Sequence, residues 1–267
     1  MTPALTPRNL PALLAALHDE GRDAAVAVSG TPGGTIHVRA GLVVAVDTPG
    51  APSAESILLK SGRVEDGSWA AARAAGGDLA QHLQERGLLT RQEFEVACTA
   101  ALFDGAFALA LGPGAVWEVR EPAPAVVTAR AFAPHLVAAE TTRRLTVLTE
   151  LWGSPVELAR TRIRTTDTPR PPALGARHTA VLDAANGRRT PRDLAFTLGR
   201  GTYAVMLDLA RLRTLGLIHH DVTPTARPST ALRVPGAHAT ASRPPAGSAP
   251  LPTRTPGTHR PHRSDTV

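Results

Sequence analysis

Aromatic side chains are scarce in this chain: five Phe, three Trp and one Tyr make up 3% of it. Any core must therefore be assembled from Leu, Val and Ala. Lysine is almost missing, with Lys60 the single copy, so the positive charge is carried by arginine. Together with the abundant Ala, Gly and Pro this reads as codon bias, and arginine by itself says little about function. The lone cysteine, Cys98, excludes an intramolecular disulfide and any multi-Cys metal site. Within "FEVACTAALF" it reads as a small buried side chain and not a nucleophile. A leader with a basic start and an apolar middle is missing, as is any apolar run of the ~18 residues a membrane span needs. A soluble, cytoplasmic protein is the expectation.

Catalytic signatures are missing too. There is no G-x-S-x-G, no H-E-x-x-H and no paired-carboxylate motif. "GTPGGT" at 30–35 lacks the Lys-Ser/Thr ending of a phosphate loop and joins strand to strand, so it reads as a hairpin turn. His37 has no ligand-spaced neighbours and reads as an exposed strand residue. "HHD" at 219–221 reads as a polar strand end. The expectation is a protein with no metal, no cofactor and no enzyme activity.

What the 267 residues do contain is unevenly spread. Residues 1–159 carry a net charge of −5, residues 160–213 carry +7, and residues 222–267 carry +5. Binding to a polyanion, if any, belongs to the C-terminal part. The last segment holds 9 of the 24 prolines among Thr, Ala, Ser and Arg. It cannot bury enough apolar surface to offset its ordering entropy, and is predicted to be a disordered tail. "TTDTPRPPALG" at 165–175 reads as an interdomain linker.

The chain opens with a helix in "TPRNLPALLAALHDEG", where Thr6 suits the cap, Pro7 the first turn and Gly21 the stop. Leu10, Leu13, Leu14 and Leu17 recur at helical spacing. "AAVAVS", "TIHVR" and "LVVAVD" alternate as strands, and short turns between them predict an antiparallel meander. "SAESILLKSG" and "DGSWAAARAAG" predict short helices. "TRQEFEVACTAALFDGAFALAL" predicts a longer one, opened by a capping box from Thr90 to Glu93. "AVWEVRE" predicts a last strand.

The order of helix, "GGTIHVRAGLVVAVDTPG" and "SAESILLKSGRVEDGSW" resembles the PatA-like N-terminal domain, a bacterial signalling module. Its strand, glycine turn and returning strand fall here on Ile36, Val38, Gly41, Val43, Val44 and Ala45. The resemblance covers roughly the first half of the chain and departs at the Ala-rich "AAARAAGG". It implies a regulatory, partner-binding role without enzyme activity.

Next comes a connecting region. "AFAPHLVAAETTRRLTVLTELW" places Phe132, Leu136, Leu145, Leu148 and Trp152 on one helical stripe, with Pro134 in the first turn. Glu140 and Arg144 are spaced for an i,i+4 pair on a solvated face. "SPVELARTRIR" alternates weakly and reads as a strand.

Three helices then follow with short turns. "ALGARHTAVLDAANG" holds the first. "TPRDLAFTLG" has Thr190 as cap, Pro191 at the first position and Asp193 three residues on. "GTYAVMLDLARLRTLG" is the third, with Val205, Leu209 and Leu212 inward and Tyr203, Leu207, Ala210, Arg211 and Thr214 opposite. Three helices followed by an extended "LI" is helix-turn-helix, winged-helix order. The pattern resembles the C-terminal winged helix of actinobacterial transcriptional regulators, with Asn186 where that family has Asp. The candidate DNA-binding residues are Arg188, Arg189, Arg192, Arg200, Tyr203 and Arg211. The third helix offers few base-reading groups, so the arginines at the turns point to phosphate contact.

The expected architecture is α+β. A PatA-like regulatory domain spans 1–128, a connecting helix region 129–164, a linker 165–175, a three-helix winged-helix domain 176–221 and a disordered tail 222–267. Two functions stay open. One is a transcriptional regulator with a protein partner at its N-terminal domain and DNA at 176–221. The other is a signalling adaptor whose winged helix holds another protein. Neither involves a membrane, and both leave homo-oligomers open.

Overall fold

Helix α1 (Leu10–Asp19) is started by Asn9, whose Oδ1 accepts the Ala12 amide at 2.9 Å. A computed structural model of the protein describes residues 9–112, 116–127 and 130–219. The expected cap Thr6 and the Pro7 position, the tail from 222 and most of "HHD" lie outside the described residues. Leu13, Leu14 and Leu17 are buried, and they lay α1 on the strands that follow. Those strands are β1 (Ala24–Val28), β2 (Gly34–Arg39) and β3 (Leu42–Asp47), paired as an antiparallel meander with a bulge at His37/Val38. Their Val and Ile side chains meet Leu14 and Leu17 in one apolar cluster.

Four helices intervene before the sheet is completed. These are α2 (Ala54–Lys60), α3 (Asp66–Ala74), α4 (Leu79–Glu85) and α5 (Arg91–Ala110). Sequence reading missed α4, whose "LAQHLQE" has too short an apolar period to register; Asp78 caps it through the Ala80 and Gln81 amides. The capping box predicted at Thr90 and Glu93 is formed. Cys98 lies on α5 inside a second cluster with Trp69, Leu83 and Phe94. Gly105 is what lets α5 lie close against β3: a Cβ there would sit 2.7 Å from the Val46 carbonyl oxygen. Strand β4 (Trp117–Arg120) then pairs antiparallel with β1, which gives the sheet order β3-β2-β1-β4. His37, expected to be exposed, is 7% exposed and hydrogen-bonds Asp47 at 3.0 Å. Its hydrogen bond to Asp47, beside the bulge, gives the ring the partner that alternation alone assigns to solvent.

Helix α6 (Pro134–Trp152) begins at proline as expected, and Leu148 and Trp152 are buried. Leu136 is 51% exposed, and Val137 takes its place inward. Phe132 lies ahead of the helix and pairs its backbone with Val43. The 154–164 segment is not a strand. Ser154 accepts the Glu157 amide, Pro155 occupies the first turn, and α7 (Pro155–Arg160) results. The weak alternation was outweighed by a local cap.

Helices α8 (Ala176–Ala184), α9 (Pro191–Leu198) and α10 (Thr202–Thr214) follow. The Thr190 and Asp193 capping box forms at α9, and Gly199 ends that helix in the left-handed region. Val205, Leu209 and Leu212 are each 0% exposed. Ala210, placed opposite them from sequence, is also buried, because α10 is covered on more than one side. Between α7 and α8 the chain runs extended. The Ile163 amide donates to Arg189, the Gly187 amide to Ile163, and on the other flank the Thr166 amide to Leu217 and the His219 amide to Arg164. Residues 162–166 thus lie between 187–189 and 217–219, with Ile163 fully buried.

The described residues hold ten helices and one four-stranded antiparallel sheet, a mixed α and β structure within one compact unit. A third apolar cluster joins Phe107 of α5 and Leu148 of α6 to α7, α8, α9 and α10.

Candidate functional site

The six residues singled out from sequence are placed on α9, α10 and the turns before and after α9, and they do not form one surface. Arg188 is exposed on the turn; its amide donates to Asn186 Oδ1, and among the described residues its guanidinium has no ion-pair partner. Arg189 turns inward and donates from Nη1 to the Ala184 carbonyl at 2.8 Å. Arg192 reaches back to the N-terminal part of the fold, where Nε donates to the Pro49 carbonyl at 2.5 Å. Its guanidinium also lies 5.2 Å from the centre of the Phe196 ring.

Arg200 pairs with Asp208 at 2.6 Å. Asp208 is 4% exposed, and His178 and Arg177 also lie 3.3 and 3.4 Å from its carboxylate. Three basic side chains thus gather on one buried acid. A buried charge is stable only when paired, so these contacts tie α8 and the turn after α9 to α10. Tyr203 packs edge-on against Phe107, with ring centres 5.2 Å apart, and Arg144 lies 4.9 Å above its ring. Arg211 alone among the α10 candidates faces outward.

The structure adds residues that sequence reading passed over. Asp104 of α5 is 3% exposed and accepts the amides of Thr202 and Tyr203 at 2.5 and 2.8 Å. It therefore caps α10 from another helix, in the place where α10 has no side-chain cap of its own. Burial pushes the Asp104 carboxyl above its ordinary value, opposed by the Tyr203 and Thr202 amides and by Arg144. Thr202 also donates its hydroxyl to the Gly50 carbonyl. Arg144 pairs with Glu140, as the spacing predicted, yet its side chain is only 16% exposed because it is covered by Phe103 and Tyr203. The signal that could have found Asp104 is an acid inside the apolar "ALFDGAF"; Asp208, between two leucines, carries the same mark.

Consequently α10 is enclosed by α5, α6, α8 and α9. A helix that reads DNA must lay one face in the major groove, and the Tyr203 face of α10 is already occupied by α5 and α6. Two exposed leucines flank the far end, Leu151 and Leu215. Between them the Arg213 guanidinium donates to the Leu151 and Trp152 carbonyls and lies 4.2 Å from the Trp152 ring centre.

The remaining chemistry-bearing group, Cys98, is buried, and desolvation pushes its thiol up to about 12. Among the described residues no three His, Cys, Asp or Glu side chains cluster as metal ligands, and no helix is long and apolar enough to cross a membrane. Compared with known proteins, no family model matches the chain, and no curated protein or solved structure is significantly similar to it.

Proposed function

We propose that this chain is a non-enzymatic regulatory protein that works as an adaptor, with protein partners, in the cytoplasm. We read α8, α9 and α10 as a winged-helix-like unit in which residues 162–166, from upstream, fill the strand position between 187–189 and 217–219. The observation that carries the adaptor reading is the enclosure of α10. Its first turn is held by Asp104, its Tyr203 face lies on Phe107, and Arg200 is committed to Asp208. Arg189 and Arg192 are committed to backbone carbonyls. A DNA-binding reading of the same helices is left with Arg188 and Arg211 for phosphate contact.

A fluorescence-anisotropy titration with random duplex DNA at ~50 mM salt separates the two, because charge-driven binders hold DNA under those conditions. The full chain is run beside a chain ending at Asp221, since the segment from 222 carries +5 of its own. The adaptor reading expects no binding by the shorter chain. Binding that weakens steeply with salt, with a slope that flattens in Arg188→Ala and Arg211→Ala, would restore the DNA-binding regulator.

A further inference from the structure

An apolar groove of about 680 Å³ runs between α1 and α6 over the face of the sheet. Leu14 of α1, Val137 and Leu145 of α6, and Val28, Ile36 and Trp117 of the strands line it. Its size falls in the range of small-molecule sites. The polar groups along its length are turned away: the Thr141 and Thr142 hydroxyls donate to the Val137 and Ala138 carbonyls of their own helix. A peptide backbone, a sugar or a base laid in this trough would find few hydrogen-bond partners.

One end differs from the rest. His18 Nδ1 donates to the Gly41 carbonyl at 3.0 Å. The Val43 and Phe132 backbones are hydrogen-bonded to each other, which brings the start of α6 to the same place. His18 and His135, both lining the groove, therefore mark its one polar end. The N-terminus of the 19-residue α6 lies there too, without a side-chain cap, and its dipole favours an anion. From that end the trough extends along α6 to Leu145, about 15 Å at the helical rise.

We propose that this groove binds a linear aliphatic carboxylate, with the chain in the trough and the head group at the His18 and His135 end. The inference stands apart from the adaptor reading, since it involves none of the α10 contacts.

Isothermal titration of the full chain with octanoate, decanoate, dodecanoate and tetradecanoate, each below its micelle threshold, tests it. One saturable site is expected, tightening roughly fourfold per added methylene until the trough is full. Dodecanol is expected to bind about tenfold more weakly than dodecanoate or worse. Ala138→Trp on α6 and, independently, Ala15→Trp on α1 fill the mouth from exposed positions. Each should abolish binding while leaving thermal unfolding unchanged. The absence of saturable binding, an affinity that ignores chain length or both tryptophans, or dodecanol binding as tightly as the acid, overturns the proposal.

Discussion

The Tyr203 amide donates to Asp104 across 99 positions of sequence, at 2.8 Å. With the Thr202 amide on the other carboxylate oxygen, a side chain of α5 ends up serving as the N-cap of α10. This carboxylate adds a polar anchor to the apolar packing of Phe107 that joins the C-terminal helices to the helix backing the sheet.

Removing it leaves two buried amides without acceptors. Asp104→Ala is expected to cost about 2–3 kcal/mol, the scale of hydrogen bonds to a charged group. Asp104→Asn keeps one acceptor oxygen for the two amides and should recover only part of that loss. Urea denaturation of the three proteins measures this. A loss for Asp104→Ala no larger than that of a surface change would mean that α10 is held by packing alone.

Local and tertiary contributions to the C-terminal helices differ in size. Thr190→Ala removes a side-chain cap and should cost about 1 kcal/mol. Leu209→Ala, at a position 0% exposed, should cost roughly 2–5 kcal/mol. Arg211→Ala, outward-facing, should stay within about 0.5 kcal/mol. Reversal of the last two would place the buried face of α10 on its other side.

Glu140 supplies a pH dependence. Hydrogen bonds from Arg143 and Arg144 hold its carboxyl down at about 2, against 4.5 for the free side chain. A depressed acid contributes stability that is present above the unfolded value. That contribution is lost as pH falls through the folded value, so the window runs from about 4.5 down to about 2. Glu140→Gln should be less stable than the natural chain near neutrality and should lose less on acidification. Parallel acid limbs in the two proteins would refute the assignment.

Cys98 should be silent in the folded protein. Its thiol is buried and raised to about 12, so the reactive thiolate is nearly absent at ordinary pH. Ellman's reagent at mildly alkaline pH is expected to label it only at the rate of unfolding. Prompt labelling of the native chain would show that the α5 cluster opens locally.

Elements fixed by short-range chemistry could be read from residue order. The Thr90 and Thr190 caps, the three N-terminal strands and the proline start of α6 all depend on neighbours a few residues apart, and they formed as expected. Ser154 belongs to the same class, and its cap prevails over the weak alternation that follows it. Burial set by distant elements could not be read so. His37, Leu136 and Ala210 depart from the faces that local periodicity predicts, because exposure depends on contacts with other elements, as where α5, α6, α8 and α9 enclose α10. The surroundings of Arg189, Arg192 and Arg200 were hidden for a related reason: each guanidinium lies near a turn, and the acid or carbonyl it meets is set by the fold, 143 residues away for Arg192 and Pro49.

Residues 162–166 carry a last consequence, which concerns excision. The run at 165–175 looks like a place to cut the C-terminal helices free for separate expression. A fragment beginning at Gly175 would leave behind Ile163, Arg164 and Thr166, and with them the backbone partners of Gly187, Arg189, Leu217 and His219. It would bare Ile218 as well, buried beside Thr165 in the intact chain. The helices are therefore not a portable cassette; the smallest transferable piece must start ahead of Ile163.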